Sequence, residues 1–200
     1  MFFLILISSI VAYLLGSVSS SYLLGRTLAG VDIRNHGSGN AGATNTLRIL
    51  GWRIAVFVLF IDILKGVFAI AFAHLITGGN EVALAFAGFF AIVGHNWPVY
   101  FGFRGGKGVA TTIGVLLTLY AAPALYAGLI AIALLLLFRY VSVASLTFVA
   151  LTPIFQWIMH GNAAVILISF AIAVMTFIRH RTNIARLRSG QEHRLFSRTS

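Results

Sequence analysis

Three short segments of this chain carry residues whose types and spacing suit the handling of phosphate. The first is Gly37-Ser38-Gly39-Asn40-Ala41-Gly42-Ala43-Thr44-Asn45, followed by Arg48. The second is Phe103-Arg104-Gly105-Gly106-Lys107-Gly108, closing a stretch that opens with His95 and contains Pro98. The third is Arg179-His180-Arg181-Thr182-Asn183, which continues through Arg186 to Gly190-Gln191-Glu192. Glycine lets backbone N–H groups come close to a ligand. Arg and Lys add formal positive charge, and amides at a helix N-terminus or in a concave turn bind anions. The hydroxyls and amides of Ser38, Asn40, Thr44 and Asn45 can donate to a phosphate or to an oxyanion as it develops.

Each segment also has a plainer explanation. Gly37, Gly39 and Gly42 alone would suit an ordinary turn of small polar residues. Arg48 lies one helical turn after Thr44, however, so both can face one ligand. In the second segment the phosphate-loop pattern Gly-x-x-x-x-Gly-Lys-Ser/Thr is not met, because Gly108 follows Lys107 and no strand precedes it. The physics of an anion site before a helix still applies to Arg104, Gly105, Gly106, Lys107 and Gly108. Snorkelling interfacial cations on a turn are the alternative. His95 is expected to be structural, and Pro98 to shape the entry of the loop. In the third segment a continuous helix would set Arg179, Asn183 and Arg186 on one face with His180 beside them. Neighbouring arginines favour a neutral imidazole that acts as a base or hydrogen-bonding group. Glu192 can contact the ligand directly or pair with an arginine and hold the tail in place. Asp62 and Lys65, at i and i+3 inside an apolar run, are expected to form a structural ion pair.

The elements that must position these residues follow from composition. Sixty per cent of the chain is hydrophobic and 9% is charged, and long uncharged apolar runs point to membrane-spanning helices. Cysteine is absent, which excludes disulfides, thiolate zinc sites and a cysteine nucleophile. Only Asp32, Asp62, Glu81 and Glu192 are acidic, without metal-ligand spacing, so neither a metal nor another cofactor is expected. The net charge of +10 sits in short clusters between apolar spans, with no nucleic-acid-binding module.

Seven spans fit the pattern: Phe3–Leu24, Ile54–Ile76, Val82–Val93, Val109–Ala121, Ala124–Phe138, Val141–Met159 and Ala163–Ile178. Several are shorter than the ~20 residues of a perpendicular span, which local thinning of the bilayer can accommodate. No basic residue precedes the first run, and Arg26 follows it, so an uncleaved helix with its N-terminus outside is expected. Segments 25–53, 94–108, 139–140 and 179–200 would then be cytoplasmic, and they hold every Lys and Arg except Lys65. The outer turns, Thr77–Glu81, Ala122-Pro123 and His160–Asn162, hold none. Merging the two spans around Pro123 would give six and send the basic tail outside, against the charge pattern. The expected fold is therefore an all-α integral membrane protein of seven transmembrane helices, a single domain over 1–200, with a cytoplasmic C-terminus. Its three polar segments are expected to converge on one pocket at the cytoplasmic face.

Taken in order and spacing, these motifs resemble those of the bacterial acyl-phosphate:glycerol-3-phosphate acyltransferases, the PlsY family. Asp62-x-x-Lys65-Gly66 and Arg139-Tyr140-Val141-Ser142 also look like family positions, and Arg104 stands where a lysine is common. The resemblance implies a multi-pass enzyme of the bacterial inner membrane. It would transfer a fatty acyl group from acyl phosphate to the 1-hydroxyl of glycerol 3-phosphate. Glycerol 3-phosphate, acyl phosphate and membrane lipids are the implied partners, with an enzyme that makes acyl phosphate as a further one. The residues permit Arg48, Lys107, His180 and Asn183 to hold the glycerol phosphate, with Ser38 and backbone amides near the acyl carbonyl. Ser142 and Glu192 are further candidates. No histidine has an aspartate five residues on, so the His-x-x-x-x-Asp pair of the other glycerophosphate acyltransferases is missing. Either His180 or a substrate phosphate oxygen would serve as base. A transporter for an organic phosphate is the competing class, although the outer turns lack a matching polar set.

Overall fold

A computed structural model describes residues 1–195; residues 196–200, part of the expected cytoplasmic segment 179–200 and of the expected domain 1–200, lie outside the described residues. All regular secondary structure among the described residues is helical. The chain divides into two compact units, one of Met1–Leu119 and one that begins at Tyr120. The first contains α1 (Phe2–Gly16), α2 (Ser20–Ala29), α3 (Ala43–Leu50), α4 (Trp52–Thr77), α5 (Glu81–Asn96) and α6 (Val109–Leu119). The second contains α7 (Ala121–Phe138), α8 (Val141–Ile158), α9 (Ala163–Arg179) and α10 (Arg181–Arg188).

In the first unit α4 lies against α1, α5 and α6, while α1 packs most extensively on α5. That pair meets through small residues at four-residue spacing, Ser8, Ala12 and Gly16 on α1 and Ala83, Ala87 and Ala91 on α5, all buried. Lipid offers no hydrophobic gain for helix association, so close backbone approach through small side chains is what holds such helices together. A Cβ at Gly16 would run into the Ala91 carbonyl.

The expected unbroken span Phe3–Leu24 is interrupted. The helix stops at Gly16, and Ser19 is extended before α2 begins (φ −96°, ψ 93°). The Ser17 hydroxyl turns back onto the Tyr13 carbonyl at 2.8 Å, as serines do when they compete with the backbone for hydrogen bonds. The two pieces still form one apolar stretch, Phe2–Ala29. Around Pro123 the chain does separate into α6 and α7. Tyr120 is non-helical, and the proline stands in the first turn of α7, where its missing N–H breaks no helical bond.

Among the described residues, five stretches are long and apolar enough to cross a membrane, and a sixth is obtained if α9 and α10 are taken as one bent span. The remaining expected span, α6, has 11 residues, about half of a perpendicular crossing. In the second unit α8 packs against both α7 and α9. A 60° bend separates α9 from α10, so the single helical face expected for Arg179, Asn183 and Arg186 does not form. His180 is the joint: its backbone N–H bonds the Thr176 and Phe177 carbonyls, and its own φ and ψ (−96°, 8°) leave the helical region.

Candidate functional site

The first unit brings two of the three polar segments together. Residues 37–42 loop back over the start of α3, and Asn45 organises that loop from within. Its side-chain Nδ2 donates to the carbonyls of Ile33 and His36, each at 3.0 Å, and its Oδ1 accepts from the Ser38 backbone N–H at 2.9 Å. Asn45 is buried, whereas Ser38 and Arg48 are exposed and Asn40 and Thr44 half-buried. Asn45 therefore shapes the loop from within, while Ser38 lies exposed on it.

The second segment is clasped to the chain just before the first by Arg34, a group that no motif singles out. Arg34 makes a two-pronged contact with Asp32 (2.9 and 2.8 Å) and donates to the Phe101 carbonyl at 2.7 Å. Its guanidinium lies over the Tyr22 ring at 4.5 Å, and Tyr22 in turn meets Phe101 with ring centroids 4.8 Å apart. The hydrogen bond from Arg34 holds the Asp32 carboxyl well below the usual carboxylate range, at about 2, against the opposing effect of burial. The only sequence signal for this clasp is an Asp-x-Arg step in a loop, which is common.

The second segment closes on itself at Gly106, whose backbone N–H donates to the His95 carbonyl at 3.1 Å, and the first segment lies against it there through Ala41. A side chain there would collide with the His95 ring and the Ala41 carbonyl. Gly108, with φ +78°, fits against Ile92 and the Asn96 side chain, and its carbonyl accepts from Thr112 N–H as α6 starts. Lys107 thus stands half-buried between two glycines at the N-terminal end of α6, with Gly105 half-buried and Arg104 exposed beside it. This arrangement combines the positive end of a helix dipole with a lysine charge.

Beneath these loops, His95 Nδ1 lies 3.7 Å from Asp62 Oδ1. Asp62 also accepts from the Ser20 hydroxyl at 3.0 Å and pairs with Lys65 at 3.0 Å. Lys65 donates a further hydrogen bond, at 2.9 Å, to the carbonyl of Val18 in the break between α1 and α2. The expected Asp62–Lys65 ion pair is present, and it satisfies a carbonyl that the helix break exposes.

The second unit carries the third segment. Glu192 folds back onto α8 and α10: its Oε1 accepts from Ser142 (2.9 Å) and Asn183 (2.6 Å), and its Oε2 from Arg186 (2.8 Å). Glu192 thus pairs with an arginine and ties the tail to α8 and α10. Burial alone would raise this carboxyl, but the hydrogen bonds from Asn183, Arg186 and Ser142 outweigh it, so it sits below its ordinary range. Its stabilisation is complete above the ordinary glutamate value and is lost as pH falls through the lowered one. Glu192→Gln should cost about 1–2 kcal/mol at neutral pH. It should also flatten the acid limb of a plot of thermal stability against pH; an unchanged acid limb would argue against the clamp.

His180 is buried, with Nδ1 2.9 Å from the Thr176 carbonyl. A carbonyl only accepts, so Nδ1 carries a proton.

A family profile described as glycerol-3-phosphate acyltransferase matches residues 6–190. A glycerol-3-phosphate acyltransferase of Halalkalibacterium halodurans is 53% identical over 190 residues, covering 92% of each chain. Among solved structures, the glycerol 3-phosphate form of the integral membrane glycerol 3-phosphate acyltransferase PlsY (YgiH) superposes with a TM-score of 0.90 at 41% identity, over 96% of this chain and 95% of that one. The lysophosphatidic acid form of PlsY gives 0.88 at 40% identity, with the same coverage.

Proposed function

Because the chain belongs to the glycerol-3-phosphate acyltransferase family, we propose that it moves a fatty acyl group from acyl phosphate to the 1-hydroxyl of sn-glycerol 3-phosphate. The products are lysophosphatidic acid and inorganic phosphate, in phospholipid biosynthesis at the bacterial inner membrane. The observation that carries this reading is the interlock of two glycine-rich loops around Lys107 at the start of α6. It is supported by the solved relative, whose crystal forms are named for glycerol 3-phosphate and lysophosphatidic acid. The charge pattern supports an outside N-terminus with the loops on the cytoplasmic side.

Two anionic reactants repel each other, and concentrated positive potential offsets that repulsion. Arg48 and Lys107 are assigned to the glycerol-phosphate dianion, and His180 and Asn183, each within the second unit, to substrate phosphate. The loop of Gly37, Ser38, Gly39, Asn40, Gly42 and Thr44 is assigned to the acyl-phosphate head, with Ser38 and backbone amides stabilising charge on the carbonyl oxygen. Gly105, Gly106 and Gly108 shape the anion site, and Arg104 supplies outer positive charge. Asn45, Ser142 and Glu192 act by holding these segments in form. The glycerol hydroxyl oxygen attacks the acyl carbonyl carbon, the bond from that carbon to the phosphate oxygen breaks, and phosphate departs with the electron pair. The hydroxyl proton passes to Nε2 of His180 or to a substrate phosphate oxygen, whose second pKa near 6 suits the task.

Purified protein in detergent, given glycerol 3-phosphate and acyl phosphate, should release inorganic phosphate and form lysophosphatidic acid. An organic-phosphate transporter would do neither without two compartments. Acyl phosphate supplied alone should leave the protein unacylated, and accumulation of an acyl-Ser38 adduct would replace direct attack by a two-step route.

A further inference from the structure

The turn from Pro98 to Phe103 carries uncovered apolar side chains. Val99, Tyr100 and Phe103 are 40%, 54% and 58% exposed, while Pro98 is buried. Phe103 is also held against its own backbone preference. Its φ is +59°, next to Gly102 at +65°, and a bulky residue in the left-handed region is strained. Glycine would take that conformation freely. An aromatic ring is thus kept where the backbone disfavours it and where the protein leaves more than half of it uncovered. We propose that this turn is an anchor in the lipid interface of the cytoplasmic leaflet, and that it holds Lys107 at the depth of lipid phosphates; the part given to Lys107 rests on the acyltransferase reading above.

Three observations select lipid as the occupant. The first is depth. The membrane-length apolar stretch that contains α5 runs Glu81–Phe101, so the turn stands at the end of a span. There hydrocarbon gives way to headgroups, and amphipathic rings such as that of Tyr100 are enriched. Arg104 follows directly and is exposed, a cation that can reach lipid phosphate while its stem lies along apolar surface. The second is a rigid mount within the first unit. The Pro98 carbonyl accepts from the N–H groups of Phe101 and Phe103 at 3.2 and 2.9 Å, which closes the turn. The Phe101 carbonyl is held by Arg34, and the Phe101 ring packs on Tyr22. The exposed neighbours of Phe101 are therefore carried by the scaffold. The third is reach. Lys107 lies four residues beyond Phe103, at most about 14 Å along the chain. Planting Phe103 at the edge of the hydrocarbon keeps Lys107 close to the headgroup layer. A donor whose tail lies in the same leaflet presents its phosphate there.

The absence of cysteine allows a direct measurement of depth. Phe103→Cys carries one nitroxide label in purified protein in phosphatidylglycerol liposomes, and its collisions with oxygen are compared with those with a water-soluble nickel chelate. Leu129→Cys, exposed on α7, is the lipid reference, and Asn35→Cys, exposed before the first glycine-rich loop, is the aqueous one. The label at 103 should favour oxygen, as at 129. A label that favours nickel, as at 35, would give the turn to water or to a soluble protein and overturn the proposal. Function is read from Phe103→Gly and Phe103→Trp in the same liposomes, with glycerol 3-phosphate and hexadecanoyl phosphate. The glycine variant relieves the backbone and should unfold at a higher temperature. It should nevertheless lose about tenfold in kcat/KM, as when an aromatic ring gives up roughly half of its burial. Phe103→Trp keeps a ring suited to the interface and should stay near the unsubstituted kcat/KM. A turn that served the fold alone would make the glycine variant at least as good an enzyme, so full activity of Phe103→Gly overturns the proposal. Equal losses in the two variants would do so too. If the unsubstituted protein transfers nothing, the acyltransferase reading falls, and the label at 103 still decides whether the turn is anchored in lipid.

Discussion

Lys107→Ala should lower phosphate release from acyl phosphate by at least about 100- to 1,000-fold, the range seen when one preorganised donor to a developing charge is removed. Lys107 sits between Gly106 and Gly108 immediately before α6. Gly106 can take no side chain, and Gly108 has a left-handed backbone. These glycine contacts set the loop path on either side of the lysine, so truncating Lys107 should leave the fold in place. Kinetics with varied glycerol 3-phosphate separate its roles. A rise in KM alone would mean the ammonium only binds substrate, whereas a matched fall in kcat and kcat/KM would put it in the transition state. Thermal stability close to that of the unsubstituted enzyme is expected alongside. Near-normal turnover would remove Lys107 from the mechanism. Lys107→Arg keeps the charge but replaces a compact ammonium with a planar fork, so only partial recovery is expected.

Asp62→Ala should destabilise the protein by about 3–5 kcal/mol, because it leaves Lys65 buried and without its carboxylate. Asp62 and Lys65 are 2% and 6% exposed, so water cannot substitute for the missing partner. The same change removes the acceptor of the Ser20 hydroxyl at the start of α2, and loosening of the break between α1 and α2 should follow. The double variant Asp62→Leu/Lys65→Met removes both charges together and should regain most of the stability, since paired apolar replacements of buried ion pairs are commonly neutral or better. Chemical unfolding in detergent gives the stability order, and phosphate release by the double variant reports the function. A single variant within about 1 kcal/mol of the unsubstituted protein would show that the pair is not a structural tie. A stable double variant with no activity would move Asp62 or Lys65 from scaffold to substrate contact.

These two sites differ in how far the chain announced them. The spacing of Asp62 and Lys65 within an apolar run is enough to expect a pair on one helical face. The second partner of Lys65, the Val18 carbonyl, is not legible, because it exists only where the first apolar run breaks. Hydropathy is continuous across Ser17–Ser19, and serine hydroxyls can satisfy themselves on the helix or leave it. Asn45 reads as a ligand contact by its company, yet its side-chain amide bonds the loop itself, at Ile33, His36 and Ser38. Its role depends on where the chain from Ile33 to Ser38 passes, which no local pattern encodes.

By itself the sequence determined the membrane class, the approximate helical stretches and the three segments that carry donors and charge. Apolar length, glycine placement and the run of cations are properties of neighbouring residues, and physics reads them locally. Tertiary structure alone decided that Arg34 clasps the second loop to the chain just before the first, that Gly106 lies against His95 and Ala41, that α9 bends at His180, and that Glu192 closes on Ser142, Asn183 and Arg186. Each of these except the bend joins residues brought together by how helices pack. The bend itself turns on one residue's choice between continuing a helix and leaving it, where the local energies are nearly balanced.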